Sequence, residues 1–327
     1  MKACVLNAIN NIEYNDVKNP TVKQGEVLLK VKASGICSSD LDRVFSSGAY
    51  HYPIVLGHEI AGQIIDVADG IDKSYIGKNV VVFPLLPCFE CSSCKSKYYA
   101  QCSNYNYFGS RCDGGFAEYL SVPFWNIRFL PDDVDFVNAA MCEPTAVALH
   151  AVSKAKLTKG KKVLVLGSGL IGIIVGLLAQ KQGAEVYFKV RNDKKLEFIK
   201  SLGLSNVYKD IPNADIDTCF ECVGSNECFI EALQFVKTRG TIILVGNPKS
   251  DMQLNKKLYW KILRQEVTIE GVWNSQYPDD WDKVIEILNK LPFEKLITHR
   301  FKLVDGINAF EELKNAAFKI KGVFINE

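Results

Sequence analysis

The sequence predicts an α/β protein of two domains, a β-rich domain into which a doubly wound parallel-sheet domain is inserted. Three observations predict it. Short β-rich segments broken by Gly, Pro and Asn fill the first 80 residues. From Lys161 onward, continuous apolar stretches alternate with helical patterns, as βαβ units around a parallel sheet require. After about Lys290 the chain returns to irregular β and short-helix texture and ends in the apolar strand GVFIN. The reading places one domain at residues 1–145 and 294–327 and the other at 146–293, and a length of 327 residues suits two cores better than one.

In the first domain the strand candidates are Glu26–Ala33 (EVLLKVKA), Ile60–Val67 (IAGQIIDV) and Lys78–Phe83 (KNVVVF). A cysteine-rich loop follows at Cys88–Cys102, then a further strand near Phe116–Val122. In the second, KVLVLG leads into a helical pattern running to about Gly183. EVYFKV is the next strand and Lys194–Leu202 the next helix. Asp217–Cys222, a helix near Cys228–Val236 and the strand Thr241–Val245 complete the alternation.

Composition excludes several classes. Apolar residues at 48% and charged residues at 23% are ordinary for a globular enzyme. A formal net charge of +2 gives no electrostatic support for nucleic-acid or membrane-surface binding. The N-terminal stretch MKACVLNAINNIEYND lacks a continuous apolar core and a small-residue cleavage site, so no secretion signal is expected. The apolar run Val163–Ala179 falls short of the roughly 20 residues that cross a bilayer, and its glycines read as a turn between strand and helix. Eleven cysteines, an odd number in a long chain, fit metal ligands in a reducing, cytoplasmic compartment better than a disulfide scaffold.

Cys88, Cys91, Cys94 and Cys102 form C-x2-C-x2-C-x7-C. Four soft thiolates on one short loop suit a closed tetrahedral zinc site, which with no open position is structural. Its free energy, on the order of 10 kcal/mol in zinc-finger peptides, can fold a lobe with little core of its own.

Three separated points offer a second set of donors. Cys37 lies in SGICSSD, His58 and Glu59 in LGHE, and Glu143 in MCEPTAVALHA. One thiolate, one imidazole and one carboxylate leave a fourth tetrahedral position free for substrate or water. Taken singly, such residues are as readily packed core residues. Ser39 places a hydroxyl two residues after Cys37, where it could pass a proton from a bound oxygen toward solvent. His150 and His299 read as structural, and His51 in GAYHYP as a candidate cleft residue.

Gly167-Ser-Gly169-Leu170-Ile171-Gly172 follows a predicted strand and opens a predicted helix. That context makes these residues, Leu170 and Ile171 included, a dinucleotide-binding turn. Gly167 turns the chain, Gly169 admits the pyrophosphate and Gly172 allows close helix–strand packing. The helix N-terminus supplies free N–H groups for the phosphates. In NAD enzymes the next strand ends in an acid on the ribose 2′-hydroxyl; here it ends at Val190, followed by Arg191, with Lys194 and Lys195 beyond. Arg191 and Lys195 would pair with a 2′-phosphate, so NADP(H) is favoured over NAD(H). A solvated basic loop with NAD still bound is the alternative.

The stretches GAYHYPIVLGHE, LLPCFECSSCKSKYYAQCSNYNYFGSRCDGGFAEY and EPTAVALHA, with the glycine fingerprint, resemble the zinc-containing medium-chain alcohol dehydrogenases over essentially the whole chain. Within that family they look like the branch of galactitol-1-phosphate 5-dehydrogenase and the sorbitol dehydrogenase-like enzymes. The resemblance implies a GroES-like catalytic domain and a Rossmann nucleotide domain. It implies a catalytic zinc on Cys37, His58 and Glu143, with Glu59 as a neighbouring or exchanging ligand that joins Ser39 in catalysis. It also implies a structural zinc on the four clustered cysteines, and a homodimer or homotetramer joined through the nucleotide-binding sheets. The implied reaction is hydride transfer between the nicotinamide and a polyol phosphate/ketose phosphate pair.

The cationic loop and FECVGS (Phe220–Ser225) also resemble NADPH-using ribitol-5-phosphate dehydrogenases. The other rivals are an unphosphorylated sugar-alcohol dehydrogenase and a nucleotide- and zinc-binding protein without turnover. Arg43 and Arg111 lie on loops that could supply a phosphate site.

Overall fold

The computed structural model describes residues 1–212, 215–248 and 250–326. They form two compact units: Met1–Glu143 with the chain from Gln276 onward, and Pro144–Ser275.

The first unit is built on the strand Glu26–Ile36. Its alternating sequence buries Val27, Leu29, Val31 and Ala33 completely, each large aliphatic contributing about 1.5–3 kcal/mol of transfer free energy. The strand runs past the predicted end because its second half has a further partner. Lys321–Ile325 pairs antiparallel with it from Ile36 back to Ala33, while Tyr119–Pro123 pairs with its first half. Along the other edge lies Glu59–Val67, which carries the sheet on to Asn79–Val82 and Ile127–Phe129. In this register Gly35 stands opposite Glu59. The residue that follows one strand, Cys37, and the residue that precedes the other, His58, therefore emerge at the same edge of the sheet.

The chain re-enters this unit at Gln276, earlier than the residue 294 expected from the sequence. The reason is aromatic packing. Tyr277 stacks on Phe83 with ring centroids 4.2 Å apart, and Trp281 meets the same ring edge-on at 5.6 Å. The Tyr277 hydroxyl donates to the Ile127 carbonyl at 3.2 Å. Asp279–Ile285, within this returning segment, is helical.

The second unit is a six-stranded sheet in which every neighbouring pair is parallel. Numbered along the chain within the unit, the strands lie in the order 3-2-1-4-5-6, the doubly wound arrangement that binds dinucleotides at the C-terminal ends of its strands. The predicted strands and helices appear within a few residues of their expected places: Lys162–Leu166, Leu170–Lys181, Glu185–Lys189, Asp193–Ser201, Ile216–Glu221 and Asn226–Phe235. The apolar run Val163–Ala179 is thus the first strand, its turn and a helix that buries Ile173, Ile174, Val175 and Leu178. Among the described residues no helix is long and apolar enough to cross a membrane. The last strand, Thr268–Gly271, has one partner and leaves an edge open. The amphipathic helix Lys256–Arg264 before it exposes Tyr259, Trp260 and Leu263.

Candidate active site

Within the first unit the Cys37 sulfur, a His58 ring nitrogen and a Glu59 carboxylate oxygen all lie within 4.8 Å of one another. Cys37 sits at the N-cap of the helix Ser38–Asp42, and its N–H donates to Asp40 Oδ2 at 3.0 Å. Asp40 is fully buried. Its other oxygen lies 3.5 Å from His58 Nδ1 and 3.8 Å from Arg43 Nη1. One carboxylate thus fixes the loop that carries the thiol and orients the imidazole, leaving Nε2 as the free donor. Burial works against a charged ring at His58, but the Asp40 carboxylate outweighs it and holds the ring's pKa well above the usual imidazole range.

Glu59 is buried and its carboxylate forms an ion pair with Lys321, which is buried as well. Lys321 opens the C-terminal strand, next to the end of Glu26–Ile36. The carboxylate fits because position 35 is glycine: a Cβ there would stand 1.9 Å from Glu59 Oε2. Glu143 begins the helix Cys142–Lys154 and lies outside the tight group of three. It accepts a hydrogen bond from the Tyr107 hydroxyl at 3.3 Å. Burial pushes its carboxyl up to about 7, with His58 and Lys321 pulling it down and Glu59 pushing it up. It therefore faces the same polar interior. Ser39 is half-buried on the first turn of Ser38–Asp42.

These donors fit a divalent cation. The set is one thiol, one imidazole and two buried carboxyls, one of which burial raises toward neutrality. A dication among them would favour the deprotonated forms.

The four clustered cysteines converge too. Their sulfurs lie within 4.8 Å of one another, with Cys88–Cys94 and Cys91–Cys102 both at 3.9 Å and Cys88–Cys102 at 3.4 Å. A tetrahedron of thiolates around zinc, with zinc–sulfur bonds of about 2.3 Å, has edges of roughly 3.8 Å. The shifts within the cluster differ: the backbone N–H groups of Cys94 and Ser103 bring Cys91 down to about 6, whereas burial pushes Cys94 up to about 12. All eleven cysteines are free thiols.

In the second unit the glycine turn has the form that its spacing predicts. Gly167 takes φ of 123°, and a Cβ at Gly172 would stand 2.0 Å from the Gly167 carbonyl oxygen. Gly169 is the N-cap of Leu170–Lys181, which places Leu170 and Ile171 in its first turn, and a Cβ on Gly169 would meet nothing within 4 Å. Arg191 is exposed just past the second strand, whereas Val190 is buried. Asn192 caps the following helix by accepting the Lys195 N–H at 3.0 Å. Glu227 and Cys228 both lie in the field of Arg191. His51, His150 and His299 lie outside the donor set. The His51 ring approaches the Arg111 carbonyl at 3.3 Å, and the His299 ring meets the Thr298 hydroxyl at 2.8 Å. Sequence reading missed Asp40, Tyr107 and Lys321. Asp40 carried a faint signal, an acid three residues after Cys37 in SGICSSD.

The alcohol dehydrogenase GroES-like domain family matches residues 23–132, and the zinc-binding dehydrogenase family matches residues 171–290. Galactitol 1-phosphate 5-dehydrogenase of Escherichia coli is 33% identical over 99% of this chain and all of its own. Sorbitol dehydrogenase of Bacillus subtilis is 28% identical over 98% of this chain and 96% of its own. Among solved structures, galactitol-1-phosphate dehydrogenase from Escherichia coli superposes with a TM-score of 0.93 at 32% identity, covering both chains completely. A zinc-binding dehydrogenase from Sinorhizobium meliloti bound to NADP gives 0.91 at 25%, over 99% of each chain. An Escherichia coli alcohol dehydrogenase complexed with NADH gives 0.92 at 26%, over 100% of this chain and 99% of its own.

The buried pair carries a stability prediction. Lys321→Met leaves Glu59 as an unpaired buried charge and should cost about 3–5 kcal/mol. Denaturant unfolding at constant zinc content measures this, and adding Glu59→Gln should restore part of the loss. A Lys321→Met chain as stable as the parent would show that the pair does not bear on stability.

Proposed function

Since the chain belongs to the zinc-containing medium-chain alcohol dehydrogenases, and is accordingly an oxidoreductase acting on CH–OH groups, we propose that it interconverts a polyol phosphate and its ketose phosphate with NADP(H). The convergence of Cys37, His58 and Glu59 carries the reading, and the full-length similarity to galactitol 1-phosphate 5-dehydrogenase supports the phosphorylated substrate. The similarity to sorbitol dehydrogenase keeps an unphosphorylated sugar alcohol as the second reading. The enzyme is a cytoplasmic homodimer, or a homotetramer, with the open edge strand Thr268–Gly271 and the exposed Tyr259 and Trp260 as the contact surface.

In this mechanism Cys37, His58 and Glu143 would hold the catalytic zinc, with Glu59 as the neighbouring carboxylate that could replace Glu143. When bound, the zinc lowers the pKa of a substrate hydroxyl or polarises a carbonyl. Asp40 keeps the His58 ring in one orientation. Lys321 pairs with Glu59 and neutralises it in the absence of metal. In the oxidative direction Ser39 Oγ would accept the proton of the substrate hydroxyl and pass it toward solvent, and a nicotinamide bound at the glycine turn would take the hydride. Cys88, Cys91, Cys94 and Cys102 hold a structural zinc, making two ions per chain. Gly167 to Gly172 receive the cofactor pyrophosphate, and Arg191, with Lys195, receives the 2′-phosphate.

A panel of hexitol and pentitol phosphates and their free polyols, each with NADP and with NAD, tests the assignment. A phosphorylated polyol with NADP should give the highest kcat/KM. One charge-assisted hydrogen bond to the 2′-phosphate corresponds to a preference of about tenfold or more, and Arg191→Ser should abolish it. Equal or better use of NAD by the parent enzyme would show Arg191 to be a solvated surface residue.

Metal analysis should return two zinc ions per active chain. A chelator should strip the Cys37 site first, because a position there is open to solvent and substrate, so activity disappears while circular dichroism persists. One zinc or none in active protein would contradict the assignment.

Ser39→Ala should lower turnover by about 10²–10⁴-fold, the contribution of a positioned proton acceptor, with cofactor affinity little changed. Near-parental turnover would return Ser39 to a packing role.

A further inference from the structure

Among the described residues, Arg111 is a cation of the first unit that is not committed to a carboxylate. It lies in the turn after Asn106–Tyr107, where its N–H donates to the Tyr107 carbonyl at 2.9 Å. Its guanidinium carbon stands 4.3 Å from the centroid of the Tyr105 ring and 4.9 Å from that of Tyr50. Its side chain donates one hydrogen bond to a described residue, from Nη1 to the Tyr105 carbonyl at 3.4 Å. No carboxylate of the described residues forms an ion pair with it. The other cations nearby are engaged: Arg43 faces Asp40 and Lys321 holds Glu59. The nearest acid in sequence, Asp113, accepts the Val55 N–H at 2.9 Å.

Two tyrosine rings against a guanidinium fix its plane by cation–π contact. One Nη1 hydrogen goes to the Tyr105 carbonyl, and the other donors of the fork can supply the two parallel hydrogen bonds that an oxyanion accepts. The turn is anchored beside the donor set. Gly115 N–H donates to the Gly57 carbonyl at 2.8 Å, one residue before His58. The Tyr105 ring lies 6.4 Å from the Tyr107 ring, and that ring lies 5.8 Å from His58. A cation two rings removed from the metal donors suits an open-chain substrate whose charged end lies several carbons from the reacting hydroxyl.

The geometry points to Arg111, packed against the rings of Tyr50 and Tyr105, as the group that binds the oxyanion end of the substrate, a phosphate monoester or a carboxylate on the polyol. It thereby selects against neutral polyols. This rests on the reading of the donor set as the site of polyol oxidation.

The test is the ratio of kcat/KM for a hexitol phosphate to that for the same hexitol without phosphate, with the corresponding aldonate as a third substrate. Zinc content is held constant throughout. In the parent enzyme one oxyanion-bearing substrate should be preferred, and whether it is the phosphate or the aldonate identifies the oxyanion. Arg111→Gln should lower the preference by about tenfold or more, through KM rather than kcat. Arg111→Lys, which keeps the charge but loses the planar fork, should fall between. Tyr50→Ala, at an exposed position, should weaken the preference by removing one face of the clamp. A parent preference that survives in Arg111→Gln overturns the assignment while the polyol-phosphate function stands. Losses in equal proportion on charged and neutral substrates mean that Arg111 only supports the loop, and this too overturns it. A parent enzyme indifferent to the oxyanion removes the polyol-phosphate reading, and the assignment falls with it.

Discussion

The candidate active site depends on the antiparallel register between Glu26–Ile36 and Glu59–Val67, locked by the buried ion pair of Glu59 with Lys321. The register brings the end of one strand and the start of the next to the same edge, so a thiol and an imidazole 21 positions apart become neighbours. Desolvating two charges costs several kcal/mol each, and good pairing geometry is what returns it. The lysine comes from the last strand of the chain, which pairs with the far half of Glu26–Ile36. The catalytic unit is therefore closed by residues on both sides of the inserted sheet domain, and the first 143 residues alone lack the cation that neutralises their own buried glutamate.

Asp40 is a second fixed point of the same kind. Its two oxygens serve the Cys37 N–H, the His58 ring and Arg43 at once, and it has no access to solvent. Such a carboxylate sets which imidazole nitrogen remains available, and a thiol loop tied to the same group cannot move independently of the ring. The two metal-donor sets differ in how they are made. The four clustered cysteines assemble from one short loop and need little of the sheet, whereas the Cys37 set exists only once the sheet has closed.

That difference decided what could be read from the sequence. The sulfur cluster and the glycine turn are local, and their spacing alone placed them. The strand–helix alternation of the second unit was legible because a buried parallel strand is a continuous apolar run and its turns need glycine. Cys37, His58, Glu59 and Glu143 could be named by residue type and resemblance, but their distances could not, because the register of a sheet is a long-range property. Lys321 carried no signal: a lysine opening a terminal strand reads as an exposed edge residue. The return at Gln276 carried no local signal, because Tyr277 and Trp281 are tied to the first unit by their packing on Phe83, a long-range contact.

The protonation chemistry of the donor set follows from the same burial. Burial raises the Glu143 carboxyl to about 7, and Asp40 holds His58 well above the usual imidazole range. Both groups therefore tend to keep protons that a metal must displace, since only a neutral imidazole and an ionised carboxyl can ligate. A dication inverts both preferences, so loading the site with zinc releases protons and is opposed by acid. The sulfur cluster is biased the other way at Cys91, whose thiol is already brought down to about 6 by backbone N–H groups. Burial pushes Cys94 of the same cluster up to about 12, so the bias toward thiolate is confined to the part of the loop where backbone N–H groups outweigh burial. In the Cys37 set the carboxyls answer to burial and to Lys321 instead, so acid would compete with any metal placed there.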